Sequence, residues 1–156
     1  MKSLIYLLLL NCIVAPAFAR IGETPEACIA RYGEPTKIVK EESQLIFQKG
    51  DFLIVASFFE GKCDMIGMRK VEQDILGTPT ELSDNEMEVL REANGGGQTW
   101  NVKPVMAISK IWQTADGQIL AQYEPLERFL VIFTSACNDR KNAETKAKEQ
   151  KKLDGF

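Results

Sequence analysis

The stretch Ile21 to Pro35, IGETPEACIARYGEP, permits a helix of only eight residues, and this limit constrains the fold more than any other feature of the chain. Thr24 suits the N-cap, where its hydroxyl takes an otherwise orphan backbone N–H. Pro25 suits the first helical position, where a missing N–H costs nothing. Glu26 places a carboxylate at the positive end of the helix. Gly33 fits a left-handed stop, and Pro35 forbids continuation. Between these marks Cys28, Ile29 and Tyr32 form a narrow apolar stripe. A helix this short is not stable alone. It has to be held by packing, and a sheet is what the following residues offer.

Leu45–Gln48, Phe52–Glu60 and Lys62–Arg69 read as strands, with Lys49-Gly50-Asp51 and Glu60-Gly61-Lys62 as turns between them. In the second of these, Phe52, Ile54, Ala56 and Phe58 share one face. Leu53, Val55, Ser57 and Phe59 on the other face are nearly as apolar, which predicts a central strand. A second round then begins. Ser83 to Glu86 has the form of a capping box, with Leu82 and Met87 placed to staple it. Its helix stops at Asn94-Gly95-Gly96-Gly97. Val105–Gln113, Gln118–Glu124 and Arg128–Thr134 read as three further strands, with Asp116-Gly117 as a tight hairpin turn. A shift of 65 residues lays Ile54 on Ile119 and Ile66 on Val131. The expected fold class is α+β: two tandem helix-plus-three-strand antiparallel units, residues 20–80 and 81–137, forming one two-layer domain with a charged helical tail over 138–156.

Residues 1–19 are expected to be a signal peptide. Lys2 precedes an apolar run, Leu4–Val14, too short to span a bilayer. Ala17-Phe18-Ala19 supplies a cleavage pattern just before Arg20. Cys12 does not fit a lipidation site, because Asn11 precedes it and the chain stays apolar beyond it. Removing 19 of the 156 residues leaves 137, one domain's length, and takes the net charge from −3 to −4. No other segment reads as a membrane span, so the expected location is the periplasm or the medium. Residues 138–156 carry six Lys/Arg against four Asp/Glu, which leaves 12 against 18 in residues 20–137. An acidic body does not suit nucleic acid, whose phosphates need a basic face.

Gly22, Thr24, Glu26, Ile29, Tyr32, Gly33 and Pro35, with antiparallel strands after them, resemble the opening of the small outer-membrane-assembly lipoproteins of the BamE type. The same residues are similar to the repeat of the β-lactamase inhibitor proteins, in which two such units sit in tandem. The chain also resembles other exported bacterial proteins that share this opening. The resemblance implies a tandem α+β fold and a habit of associating with other proteins, and it carries no active site.

The chain contains no histidine, so Ser-His-Asp and Cys-His arrangements lack their base and the commonest metal ligand is missing. Cys28, Cys63 and Cys137 are too widely spaced to read as a cysteine metal site. Gly95 to Gly97 follow a helix, whereas a phosphate loop precedes one. Asp84, Glu86 and Glu88 lack the Asp-x-Asp-x-Asp-Gly pattern of a calcium loop and read as cap and first-turn charges. No metal or cofactor is expected. The candidate binding residues are Trp100, Trp112 and Tyr123, large aromatics on or beside strands next to the glycine loop, where such side chains anchor partners. The alternative for them is packing between helix and sheet. The expected function is that of an exported, non-enzymatic binding or scaffolding module that engages a protein or envelope component through its sheet face. The alternative is a small envelope hydrolase with paired carboxylates in the cleft between the two units.

Three cysteines remain after leader removal, an odd number for an oxidising compartment. Cys28 on the helix stripe and Cys63 on a strand beneath it are expected to form a disulfide. Their 35-residue separation is worth about 4 kcal/mol of loop closure in the ideal case. The alternative is three reduced thiols. The tail is helical by propensity, and its thin apolar marks, among them Ala143, Ala147, Leu153 and Phe156, favour a solvated helix over a docked one.

Overall fold

The short helix forms where its punctuation dictates. In the computed structural model, which describes residues 21–41, 43–104 and 108–153, α1 spans Pro25–Tyr32. Thr24 Oγ1 accepts the Ala27 N–H at 3.3 Å. At the other end the Gly33 N–H closes the helix on the Ile29 carbonyl at 2.8 Å, and a φ of 90° there suits a residue without a Cβ. The expected signal peptide, Phe156 and the start of the Val105–Gln113 strand lie outside the described residues.

After α1 come β1 (Lys37–Val39), β2 (Gln44–Lys49), β3 (Phe52–Phe59) and β4 (Lys62–Lys70). Then follow α2 (Asp84–Glu92), β5 (Trp100–Lys103), β6 (Lys110–Thr114), β7 (Ile119–Glu124), β8 (Phe129–Thr134) and α3 (Ser135–Leu153). All eight strands belong to one antiparallel sheet in the order β1-β2-β3-β4-β8-β7-β6-β5. This overturns the expected pair of three-strand units. Among the described residues the architecture is a single eight-stranded sheet with three helices, made continuous at its centre by β4 pairing with β8 through Ile66↔Ile132 and Gly67↔Val131. Two strands, β1 and β5, carry no periodic apolar signal because they are short, largely exposed edge strands. The 65-residue shift fails for a related reason: it lays Ile66, which is fully buried, on Val131, which lies on the opposite face and is half-buried.

Cross-strand register defines the two faces. Leu45, Ala56, Ile66, Ile132, Ala121 and Trp112 form one row across six strands. Phe47, Ile54, Met68, Leu130 and Tyr123 form the next row on the same side. These side chains join Cys28 and Tyr32 of α1, and Leu82 and Met87 at α2, in one buried cluster. The Tyr32 ring lies 5.2 Å from that of Phe47. Helix α2 is capped as its sequence requires, Ser83 accepting the Glu86 N–H at 3.2 Å and donating its own N–H to Glu86 Oε2 at 2.7 Å. Lys70–Glu86 at 3.0 Å and Lys110–Asp84 at 2.8 Å then tie that first turn to β4 and β6. Among the described residues no helix is long and apolar enough to cross a membrane.

Candidate functional site

The three aromatic residues singled out by sequence are not gathered into one site. Trp112 of β6 is 8% exposed and Tyr123 of β7 is 4% exposed, and both belong to the core cluster. Tyr123 sits within the core, and burial raises its pKa. Trp100, on edge strand β5, is half-buried and packed against the cluster, its indole edge so close to Gly95 that a Cβ there would stand 2.6 Å from Nε1. What joins the two tryptophans is Arg91 of α2. Its guanidinium carbon lies 4.1 Å from the Trp112 ring centroid and 6.0 Å from that of Trp100. Arg91 is held there by its Nε–H donating to the Met87 carbonyl at 3.2 Å. A groove of about 510 Å³ opens beside these groups, lined also by Glu88, Glu92 and Gln98. Glu88 and Glu92 outnumber Arg91 in the lining, so the groove does not favour an anion.

A larger feature lies on the other side of the sheet. The row Lys37, Ile46, Val55, Gly67, Val131, Gln122, Ile111 and Lys103 crosses all eight strands in register. Gln44, Ser57, Met65, Phe133, Leu120 and Gln113 form the row beside it. The apolar members of both rows are half-buried, whereas their neighbours on the core side are sealed under α1 and α2. Gly67 sits at the centre, and the Phe129 ring lies across it: a Cβ at that position would stand 2.3 Å from Phe129 Cζ. The face is therefore an apolar strip with lysines at its two ends and glutamines set into it.

Helix α3 crosses one end of this face. Cys137 is buried in its first turns, Thr134 Oγ1 accepts the Cys137 N–H at 3.0 Å, and Arg140 pairs with Asp64 of β4 while stacking 3.8 Å from the Phe59 ring. The Asp64 carboxylate holds the Arg140 guanidinium above its ordinary value, and burial raises the Cys137 thiol. From Lys141 to Leu153 every residue of α3 is exposed. Two hollows flank the helix where it meets the sheet. One, of about 450 Å³, contains Gln44, Ser57, Asp64, Met65 and Arg140. The other, of about 250 Å³, contains Gln122, Val131, Phe133 and Asn138. In the first, the Ser57 Oγ is buried without a hydrogen-bond partner. An unmatched hydroxyl costs about 1–3 kcal/mol, so it offers an incoming donor or acceptor a gain.

Sequence reasoning singled out neither Arg91 nor Ser57, nor the central Gly67–Phe129 contact. The alternation in Phe129–Thr134 was the available signal, but both of its faces are apolar, and alternation alone does not say which one the helices cover.

No protein-family model matches the chain, and no curated protein matches it. Among solved structures, a crystal structure of a cysteine-rich secretory protein from Staphylococcus aureus is similar over 75% of this chain and 45% of that one, with 9% identity and a TM-score of 0.41. The chain thus spans less than half the length of that neighbour.

Proposed function

We propose that this protein is an exported, non-enzymatic binding module that engages a protein partner through the open face of its sheet. One observation supports the reading: Ile46, Val55, Val131 and Ile111, in one row with the buried Gly67, are apolar and half-buried on the face opposite α1 and α2. Contiguous, partly exposed apolar surface framed by polar groups is the composition of an interface centre and its rim. Gln44, Gln113, Gln122, Lys37 and Lys103 supply that frame. The length of the strip, which crosses the sheet from β1 to β5, suits a protein surface better than a small molecule, which is held in a concavity that encloses most of it.

The hydrolase alternative needs a carboxyl held protonated near neutral pH. Among the described residues the resolved carboxylate shifts run the other way. Backbone N–H groups hold Asp74 below its ordinary value, Lys110 does the same for Asp84, and Thr114 for Asp116.

The test places a photo-crosslinking residue at Val55 and Val131 on the open face, and at Val89 on α2 as control, in cells that make the protein. The expected result is one discrete protein adduct from both face positions, none from Val89, and loss of the adduct on Val131→Glu in a chain that still folds. Absence of any adduct above background, or the same adduct from Val89, would overturn the reading. The exported state is checked separately by sequencing the N-terminus of the protein recovered outside the cytoplasm, where Arg20 is the expected first residue.

A further inference from the structure

Cys28 and Cys63 are buried, reactive groups that the open face does not use. The backbone brings them together. The Gly22 N–H donates to the Cys63 carbonyl at 2.6 Å, and the Cys63 N–H donates to the Glu23 carbonyl at 2.7 Å, so the lead-in to α1 is laced onto β4. One turn later the helix brings Cys28 into the core cluster that contains Cys63. Cys28 is 0% and Cys63 1% exposed, and the two thiols are close enough to perturb each other's ionisation, Cys63 lowering Cys28 and Cys28 raising Cys63. The site is enclosed by the Glu23–Arg31 ion pair, with Glu23 Oε2 3.9 Å from Cys28 Sγ, and by the Met65 carbonyl 3.5 Å from Cys63 Sγ. Cys137 is buried as well, but in the first turn of α3 and outside that cluster.

The expected bridge is absent: among the described residues Cys28, Cys63 and Cys137 are free thiols. We propose that Cys28 and Cys63 are nevertheless a disulfide-forming pair, oxidised while the chain folds, and that Cys137 remains a thiol. The oxidant is a disulfide, either of a thiol–disulfide oxidoreductase or of a low-molecular-weight thiol. One cysteine thiolate attacks a sulfur of that donor, forms a mixed disulfide and expels the first donor thiolate. The second cysteine thiolate then attacks the cysteine sulfur of the mixed disulfide and expels the second. Two electrons and two protons leave the pair, and the donor ends as two thiols. With α1 docked, both sulfurs are out of reach of any such donor. The exchange therefore occurs while α1 is off the sheet, a state that an eight-residue helix visits readily before its packing is complete. Once α1 docks, the same burial shields the closed bridge from reductant, which marks it as a structural fastener.

The test does not depend on the binding reading. The reduced, unfolded chain is diluted into a mixture of reduced and oxidised glutathione, trapped with an alkylating agent and mapped by peptide mass. The expected product contains a Cys28–Cys63 linked peptide two hydrogens lighter than the separate thiols, with Cys137 alkylated only after denaturation. The oxidised protein should melt on the order of 10 °C above the same chain kept reduced, a comparison that requires no substitution. Cys137→Ser should leave the linked peptide in place. Three alkylated thiols, a link involving Cys137, or equal melting temperatures for the two redox forms would overturn the proposal.

Discussion

Substituting Gly67 by alanine probes the closest approach on the open face. The new Cβ would stand 2.3 Å from Phe129 Cζ and 2.6 Å from Cε1. Carbon atoms rest at about 3.5–4.0 Å, so the tip of the ring has to retreat by more than about 1 Å. Phe129 is only half-buried, so the ring can swing outward, but it then gives up its seat on the glycine backbone. Overpacking of this kind costs about 1–3 kcal/mol. Alanine recovers about 0.5–1 kcal/mol of it through the backbone entropy that glycine loses on folding. The net expectation is a loss of about 1–2 kcal/mol, or roughly 4–8 °C in melting temperature for a chain of this size. The assay is urea unfolding followed by tryptophan fluorescence, on Gly67→Ala, Phe129→Ala and the double variant. With the ring removed, Gly67→Ala should be neutral or slightly stabilising, which gives a coupling of at least about 1 kcal/mol. A coupling below about 0.5 kcal/mol, the level seen for independent sites, would refute the placement of Phe129 over Gly67.

Two further outcomes follow from the same geometry. Arg91→Ala removes the guanidinium stacked on Trp112, a contact worth about 0.5–2 kcal/mol, and uncovers the ring; the fluorescence maximum should move to the red and acrylamide quenching should rise, whereas an unchanged spectrum would count against the stack. Glu26, Asp74, Asp84 and Asp116 all have folded pKa values below their ordinary ones, so they bind protons more tightly unfolded than folded. Their contribution is present above the ordinary carboxylate range, about pH 4, and is lost as pH falls through the depressed values. The urea midpoint should therefore decline below about pH 4, and Asp74→Asn should flatten that decline; a midpoint constant down to pH 3 would show that these carboxylates are not held in the folded chain.

The parts of the fold that could be read from the sequence are those set within a few residues. Thr24 and Gly33 bound α1, and Ser83 with Glu86 starts α2, because capping is a contact between near neighbours in the chain. The pairing of β4 with β8 has no such local basis: Ile66 and Ile132 meet across 66 residues, and nothing in either strand names the other. Edge strands β1 and β5 escape detection because an edge exposes most of its side chains and loses the period of two that marks a half-buried strand. The irregularity opposite Ser57/Phe58 adds to the difficulty, since Asp64 of β4 is left without a partner there and Cys63 reaches the core face of Ile66 and Met68 out of the strand's alternation.

The candidate face was legible in composition and illegible in orientation, and the reason bears on function. Val55 between Ile54 and Ala56, and Val131 between Leu130 and Ile132, make strands that are apolar on both sides, which reads as burial on both sides. In the structure β3, β4 and β8 are central, yet α1 and α2 cover only one of their faces, and α3 reaches only one end of the other. A central strand with one wet face ordinarily alternates apolar with polar residues, at no cost to the core. Here the wet face keeps Ile46, Val55, Val131, Phe133 and Ile111, where polar side chains would fit equally well and would leave the core rows unchanged. The fold itself does not require those residues. A second layer supplied by a protein partner would account for them, and Val131→Glu separates the two demands: at this half-buried position it should cost no more than about 2 kcal/mol and leave the chain folded, while abolishing the crosslinked adduct.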